Sequence, residues 1–561
     1  MREDNLKKIF SVLLALFLAS SSILLGGCSE TQSDGADYIF DYAMVGNPES
    51  LDPQYASDTS SMTVIGNLFT GLVTMDDNGI LSNGVAEDYS ISDDGLTYTF
   101  KIRKDCYWFY DENENESVDE NEYFPVTAHD FVFAFQRIFN PETCSPHRET
   151  FLCLKNAENI IKNSADYNSI GVTAASDTEL VFELDYPSAG FLSSLASSAA
   201  MPCNKEFFYN TKGRYGLDDK SIISNGAFFI RQWFYDPYGH DNFVYMQRNL
   251  ANNKYDKIYP TSLNFYIKDT YEESENSFAD NESDVLLSFM YNKNKYKNCN
   301  VNKYENYTLG IIINPENPRY NNPNIRKALA YGIDKSSFEG QLSDDLKTAY
   351  GIIPPGVSFL NKSYRELNSE KVASVSFDGS NIDYNPELAV SYYEQGMDIM
   401  NLQSLENIKI LVPENLMDTD YLHLVTQSWQ TLFGFYIGIE EVAEDEYYQR
   451  IKEKDYIMAI YPMTSNFNSP VSFLENFMSG SNDIGYSNSE LDSLINELRN
   501  LDNYNNGIEK YLEAEKIILN DFNFIPIFYK SEYEIMSSGN NDILYDPFTK
   551  QLFFRKAKYV E

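Results

Sequence analysis

The sequence predicts an α/β fold in which sheets are covered by helices. Strand-like and helix-like patterns alternate from about residue 38 to the end, and 43% of the 561 residues are apolar, enough for a sizeable core. No fixed-period repeat appears and no long Pro, Gly or Ser linker divides the chain.

The first element is a targeting segment. Arg2, Lys7 and Lys8 form a basic head, residues 9–25 are almost wholly apolar or small, and Leu25-Gly26-Gly27-Cys28 follows. A basic head, an apolar run and small residues before a cut site describe a secretory signal peptide over residues 1–27. The run is shorter than the ~20 apolar residues that a spanning helix needs, and no later segment reaches that length. Leu25-Gly26-Gly27-Cys28 also resembles the lipobox of bacterial lipoproteins, which implies cleavage before Cys28 and a lipid on its thiol. Removal of residues 1–27 from 561 leaves 534, a length that suggests ~3 domains or the lobes of one large protein. Residues 28–37 are small, polar and acidic and read as a tether.

Beyond the tether, the clearest local signal lies at 89–102. Tyr89 and Ile91 alternate with polar residues, Asp94-Gly95 follows, and Leu96, Tyr98, Phe100 and Ile102 alternate again. Asp-Gly between two period-2 runs predicts a hairpin, because Gly tolerates the positive φ of a tight turn. Thr127 with Asp130 three residues later predicts a capped helix start before Phe131, Phe135 and Ile138. Asn322-Pro323 and Asn385-Pro386 open two further helices, since Pro suits the first helical position. Leu491, Leu494, Ile495 and Leu498 make a helical stripe. Apolar strands are expected at 180–184, 262–267, 308–313, 408–412 and 524–529.

The net charge is −41, and the leader carries Arg2, Lys7 and Lys8 against Glu3 and Asp4, so the mature chain is near −42. Such a surface is repelled by phosphate backbones, which excludes nucleic acid as a partner. It favours solubility beside an anionic membrane and says little about the ligand, because exposed charges are screened beyond ~8 Å. Of six cysteines, lipidation of Cys28 leaves Cys106, Cys144, Cys153, Cys203 and Cys299, an odd number with no C-x-x-C pair. A bridge between Cys144 and Cys153 is open on sequence alone.

No G-x-S-x-G elbow, Walker loop or H-E-x-x-H motif is present, and His129, His147, His240 and His423 are not at metal spacing. No catalytic motif is thus read from the residues. Carboxylate pairs are too common here for motif alone to exclude a surface hydrolase. One acidic stretch matches a calcium loop in part: Asp111, Asn113, Asn115, Ser117, Asp119 and Glu122 fall at oxygen-ligand spacing, with Val118 apolar at the eighth position. Glu116 stands where the sharp turn needs Gly, so a solvated acidic loop is the stronger expectation and calcium the weaker one. No other cofactor is expected.

In order along the chain, Asn47-Pro48-Glu49-Ser50-Leu51-Asp52-Pro53, Asn67-Leu68-Phe69-Thr70-Gly71-Leu72, Val85-Ala86-Glu87, the hairpin at 92–103 and the block at 125–141 resemble the oligopeptide-binding proteins of ABC importers. Ser224-Asn225-Gly226-Ala227-Phe228, Arg248-Asn249, the run at 324–335 and Ile353-Pro354-Pro355-Gly356 continue the resemblance, which spans about residues 40 to 530. It implies the type II periplasmic-binding fold: two lobes joined by crossing segments, with a hinge and an extra subdomain in the first lobe. By position, the first lobe is 38–76, 199–303 and 527–561, the subdomain is 77–198, and the second lobe is 304–526. It further implies a lipid-anchored receptor on the outer face of the cytoplasmic membrane. Such a receptor closes on a peptide or related small solute and delivers it unaltered to importer permease subunits; a monomer is expected. The resemblance implies no catalysis; a surface hydrolase, or a sensor or adhesin that keeps the fold without uptake, is the alternative.

Peptide-binding relatives hold the peptide's α-ammonium with an Asp four residues before the Pro of a segment ending Pro-x-x-Phe-Leu. In the segment that resembles it, Pro470 to Leu474 supply that ending and Asn466 stands in the Asp position. Asn accepts a hydrogen bond but brings no charge, and a buried ammonium without a counter-charge costs several kcal/mol. Either another acid supplies that charge or the ligand has no amino terminus held this way. Asn466 and Phe467 are candidates to face the ligand, against the plain reading that Asn466 caps a turn. Ser224, Asn225 and Gly226 are weaker candidates that compete with a role in shaping the crossing. Trp429 is a candidate for stacking, against core packing as for Trp108 and Trp233.

Overall fold

Runs of Ile, Phe and Tyr at 308–313 and 524–529 form strands, and these two strands set the architecture. The computed structural model describes residues 38–559 apart from 76–80, 114, 116–118, 120, 189, 240, 253–257, 319, 360–361, 368–383, 406–407, 466, 481, 483 and 500–506. The leader, Cys28 and Asn466 thus lie outside the described residues. Residues Ile39–Glu561 form one compact unit. Among the described residues no helix is long and apolar enough to cross a membrane.

Eleven strands build one sheet. In spatial order they are Phe228–Phe234, Phe243–Arg248, Pro260–Lys268, Tyr38–Val45, Val285–Ser288, Phe524–Met536, Asn300–Ile313, Met458–Met463, Ile408–Pro413 and Ile437–Val442, with Leu346–Thr348 attached to the flank of Phe524–Met536. The central antiparallel pair, Asn300–Ile313 with Phe524–Met536, belongs to both halves of the molecule. Its 300–304 and 532–536 ends continue into the first half through Val285–Ser288. Its 308–313 and 524–530 ends continue into the second half through Met458–Met463 and Leu346–Thr348. Between them the register shifts from Tyr304 opposite Glu532 to Tyr307 opposite Lys530, which leaves Glu305, Asn306 and Ser531 unmatched. Such an irregularity locally disrupts the ladder and adds twist, so the molecule narrows to a two-stranded waist where the halves can turn.

Every residue of Phe524–Met536 is buried, including Lys530, Ser531, Glu532 and Glu534. Buried polar groups need partners. Lys530 Nζ donates to Asp345 and to the carbonyl of Phe289, and the Ser531 N–H donates to the carbonyl of Asp345 (2.9 Å). Glu532 accepts from Tyr545 Oη (2.7 Å) and Lys550 Nζ (2.8 Å). Glu534 accepts from Asn302 Nδ2 (2.8 Å) and Tyr304 Oη (3.0 Å). The strand passes through the waist because Lys530, Glu532 and Glu534 each find partners there.

The segment between the first two strands of the first half folds as a separate four-stranded antiparallel layer, ordered Ala86–Ile91, Thr97–Ile102, Glu179–Glu183 and Val172–Ser176. The expected hairpin is present, with Ile91 opposite Tyr98 and Gly95 at φ 69°. Helix Ala128–Phe139 covers the layer and starts with the expected capping box between Thr127 and Asp130. From the helix, Phe135 packs edge-to-face on Phe151 and Phe182, and Phe182 in turn on Phe100 and Phe191. The helix also carries Arg137, whose guanidinium is buried against the Asp52 carboxylate, donates through Nη1 to Gln54 Oε1 (2.7 Å) and stacks over Phe208 (4.1 Å). That contact ties the opening motif to the layer and gives Asp52 a structural role.

In the second half, alternate residues of Asn300–Ile313 enter opposite cores, as a pleated strand requires. Leu309, Ile311 and Ile313 pack with Trp429 on one face, and Ile312 packs with Tyr447, Phe473 and Phe477 on the other. Helices Pro323–Tyr331 and Pro386–Met400 begin at Asn322 and Asn385, whose side chains accept from the N–H of Asn324 (2.9 Å) and Leu388 (3.0 Å). Among the described residues, no disulfide joins Cys106, Cys144, Cys153, Cys203 or Cys299.

Candidate ligand-binding cleft

The waist leaves a recess with one wall from each half. On the first half, Thr270 caps helix Tyr271–Ala279 and brings Tyr271 to its first turn. On the second half, helix Glu444–Glu453 is anchored by buried Tyr447, whose Oη donates to the carbonyl of Ile460 (2.7 Å). Glu444 and Tyr448, one turn apart, occupy one exposed face of that helix. Tyr307 and Glu532 come from the waist itself.

Tyr271 and Tyr448 are 47% and 51% exposed, yet surrounding protein raises both phenols, Tyr448 to about 12. Solvent reaches these side chains while protein flanks them, as on the walls of an open cleft. Glu444 adds to the rise at Tyr271, Tyr448 and Tyr307. Glu532 adds to it at Tyr271 and Tyr307. Residues of both halves therefore face one space. Glu532 is neutralised by Lys550, which also lies 4.4 Å over the Tyr307 ring. Glu444 has neither an ion-pair nor a hydrogen-bond partner among the described residues; burial, then Asp445, raises its carboxyl.

A cavity of about 770 Å³ also spans the halves, lined by Asn302, Tyr304, Tyr545 and Phe548 together with Gly356 and Asn468 of the second half. Its size falls in the range that small-molecule and peptide ligands occupy, roughly 300–1,000 Å³. Tyr545 links it to the recess through the hydrogen bond to Glu532. Two other cavities, of about 30 and 500 Å³, are confined to the first half and its C-terminal segment.

The halves touch at a second place. The Phe467 ring lies against Gly190 of the inserted layer, where an added Cβ would come within 2.8 Å of it. Nearby, the Arg499–Glu475 pair of the second half (2.7 Å) acts on Tyr186 and Cys153 of the layer, both pushed up to about 12 chiefly by burial. Gly190 has φ −86°, so a larger residue brings no backbone strain and acts only by wedging the two surfaces apart. Overpacking costs roughly 1–3 kcal/mol. Gly190→Leu is thus expected to weaken ligand binding about tenfold with little change in melting temperature, as calorimetry and thermal denaturation would show.

Of the residues singled out in the sequence, Phe467 lies at this junction. Three others take structural places instead. Asn225 is fully buried and both ends of its amide bond the backbone of Thr70, at 3.1 and 2.8 Å. Gly226 donates to the carbonyl of Leu68 (2.8 Å), and a Cβ there would meet that carbonyl at 2.6 Å. Both knit the crossing to the end of helix Thr59–Leu68. Trp429 is fully buried and donates through Nε1 to the carbonyl of Leu329 (2.8 Å), which corrects its reading as a stacking surface. In the acidic loop, Asp111 pairs with Arg231 (2.5 Å), Asn113 and Asn115 donate to Asp119 Oδ2 (2.9 and 3.0 Å), and Glu122 accepts from the Asp119 N–H (3.1 Å). Among the described residues, no three His, Cys, Asp or Glu side chains converge in a way that could hold a metal ion. Tyr271, Glu444, Tyr448 and Glu532 were not singled out; with 43 Tyr and 84 acidic residues, the sequence offers no contrast that would mark them.

Two lobes around a hinged, tyrosine-walled cleft define a binding protein of the type II periplasmic class. The sequence profile of the bacterial extracellular solute-binding proteins, family 5, matches residues 81–485, and the chain belongs to that family. It is 24% identical over 527 residues to the oligopeptide-binding protein OppA of Bacillus subtilis, covering 91% of each chain. It is 22% identical over 564 residues to the dipeptide-binding protein DppE of the same organism, covering 97% of each. The fold superposes on Listeria monocytogenes OppA bound to peptide with a TM-score of 0.73 at 22% identity, covering 94% of this chain and 100% of that one.

Proposed function

We propose that this protein captures peptides outside the cytoplasmic membrane and delivers them to the permease of an ABC importer. The observation that carries the reading is the continuous sheet with a single two-stranded waist, which lets two walls close on one solute. A ligand favours the closed form only through contacts absent from the open one, so walls drawn from both halves are what capture requires. Tyrosine side chains offer apolar faces and hydrogen-bonding tips to a chain of variable sequence. The names of the relatives, oligopeptide- and dipeptide-binding proteins, support peptide as the solute. No bond of the ligand changes in this scheme, and no cofactor enters it. Cys28 carries the lipid that keeps the mature chain at the membrane.

Calorimetry with a panel of di- to octapeptides, with small-angle scattering of the same mixtures, tests the reading. Binding with a decrease in radius of gyration, and recovery of the peptide intact by mass spectrometry, is the expected result. A shape unchanged by every peptide, or a cleaved peptide, would overturn it. The anchor is tested by the mass of the mature amino terminus, which should show a diacylglyceryl-modified Cys28.

A further inference from the structure

We infer that Glu534 is a positioning residue of the ligand cavity: buried behind its wall, the carboxylate takes the hydrogens of the Asn302 amide and the Tyr304 hydroxyl, so that both present oxygen to an amide N–H of the bound peptide. The inference rests on peptide capture as the function. Glu534 has no exposed surface and lies on the central strand Phe524–Met536, directly opposite Asn302 of the paired strand. It accepts from Asn302 Nδ2 (2.8 Å) and Tyr304 Oη (3.0 Å), and both donors line the cavity of about 770 Å³ that spans the halves. A carboxylate only accepts. The amide must therefore turn its NH2 toward Glu534 and its carbonyl away, and the tyrosine must spend its single O–H hydrogen there. What remains for a ligand is Asn302 Oδ1 and the lone pairs of Tyr304 Oη.

The same device occurs twice in this wall. Tyr545 packs edge-on to Tyr304 (5.4 Å) and spends its own O–H on Glu532 (2.7 Å). From the second half, Asn468 accepts the Ser358 N–H through its carbonyl (2.7 Å), which leaves its NH2 to donate. Acceptors on the waist and a donor from the second half match a peptide group, which carries one N–H and one C=O. Glu532 is neutralised by Lys550, whereas Glu534 has no ion-pair partner among the described residues and its Oε1 is buried without a hydrogen-bond partner. Such burial is unfavourable for the fold. Its effect on the cavity is a hydrogen-bond polarity set before the ligand arrives, which lowers the ordering that binding requires.

The arrangement also fixes how binding depends on pH. Burial raises the Glu534 carboxyl to about 7. In register it is flanked by Leu287 and Asn302, with Tyr304 beside them. The charged groups around the cavity are engaged elsewhere: Lys550 with Glu532, Lys303 with Glu305 (3.2 Å) and Asp542 with Lys558 (2.7 Å). Asp546 accepts from the Phe548 N–H and Thr549 Oγ1 (both 2.9 Å). A ligand N–H given to Asn302 or Tyr304 makes each a stronger donor to Glu534 and so favours its ionised form. Closure has no exposed Glu534 surface left to dry, so this effect decides the sign. The carboxyl titrates lower with peptide bound than without, so binding releases protons near pH 7 and affinity falls as pH drops through about 7.

Calorimetry of unblocked alanine peptides, two to eight residues long, compares wild type, Glu534→Gln and Glu534→Leu from pH 5 to 8, each in two buffers of different ionisation enthalpy. The peptide's own titration is common to all three proteins and drops out of the differences. At pH 7 wild type should release more protons on binding than Glu534→Gln does, and its affinity relative to that variant should rise about threefold or more between pH 5 and 8. Glutamine keeps an oxygen for Asn302 and Tyr304, so Glu534→Gln should stay within about threefold of wild type at pH 7. Glu534→Leu keeps none and should bind about tenfold more weakly. A scan of single N-methyl groups along the best-bound peptide locates the N–H: at one position methylation should weaken wild type about tenfold more than it weakens Glu534→Leu. Equal proton release by wild type and Glu534→Gln, or the same affinities and N-methyl profile for wild type and Glu534→Leu, would sink the inference and leave peptide capture standing. Should Glu534→Leu fail to fold by circular dichroism, proton release against Glu534→Gln decides alone. If wild type binds no peptide, capture itself fails and the inference falls with it.

Discussion

Glu515→Ala should destabilise the protein by about 3–5 kcal/mol, the loss seen when one member of a buried ion pair is removed. Glu515 lies on helix Gly507–Asp521 with no exposed surface. Its Oε1 accepts from the N–H groups of Ile352 (2.6 Å) and Ile353 (3.2 Å) and from Arg365 Nη2, and its Oε2 accepts from Arg365 Nη1 (3.2 Å) and Tyr364 Oη (3.4 Å). Alanine would strand a buried guanidinium, two backbone donors and a phenol together. The damage would reach the hinge, because Ile353 leads into Pro354-Pro355-Gly356, and the Gly356 N–H donates to the carbonyl of Glu305 at the waist (2.8 Å). Glu515→Gln should cost less, since its amide oxygen still serves the two N–H groups. The double change Glu515→Leu with Arg365→Met should also cost less than Glu515→Ala, because it leaves no unpaired charge. Urea denaturation of the four proteins at one pH gives the ranking; equal midpoints for Glu515→Ala and wild type would remove the pair from any account of stability.

Glu534→Gln should stabilise the protein at pH 8 by about 3 kcal/mol and change it little at pH 4 to 5. Burial pushes the Glu534 carboxyl up to about 7, against an ordinary value of 4.5, and the hydrogen bonds from Asn302 and Tyr304 only partly offset this. Its Oε1 is buried without a hydrogen-bond partner. A carboxyl raised in the folded state binds more protons there than in the unfolded chain. Its stabilising contribution is complete below pH 4.5 and is lost as pH rises through about 7. Glutamine mimics the protonated form at every pH, so the gap between mutant and wild type should open across that window. Urea midpoints at pH 5, 6, 7 and 8 measure it, and a gap independent of pH would show that Glu534 does not titrate there.

The elements that could be read from the sequence are those whose signals are local. The hairpin around Asp94-Gly95, the Thr127–Asp130 capping box and the Asn-Pro helix starts each depend on a few adjacent residues, and each is present. The apolar cores of the two central strands were legible for the same reason. Their continuation was not: residues 300–306 and 530–534 are polar by composition and become strand only because partners from elsewhere satisfy them. The cleft shares this limit. Asn225 and Gly226 belong to a motif that stands out in the chain, Trp429 is one of three tryptophans, and all of them here hold the fold. The walls are made of common residues whose role comes from the opposing half. Asn466 was the one departure visible in the sequence itself, because the surrounding Pro-x-x-Phe-Leu segment supplies the frame for comparison.

The shared central strands have a further consequence for how this molecule can be taken apart. Neither half owns the pair outright: the first ends its sheet on residues 300–304 and 532–536, the second on 308–313 and 524–530. A fragment cut at the junction would expose a raw sheet edge of unsatisfied amide and carbonyl groups, a surface that recruits other chains. The two halves therefore mature as a single piece. A sensor or reporter is better grafted onto an outer loop than spliced between them.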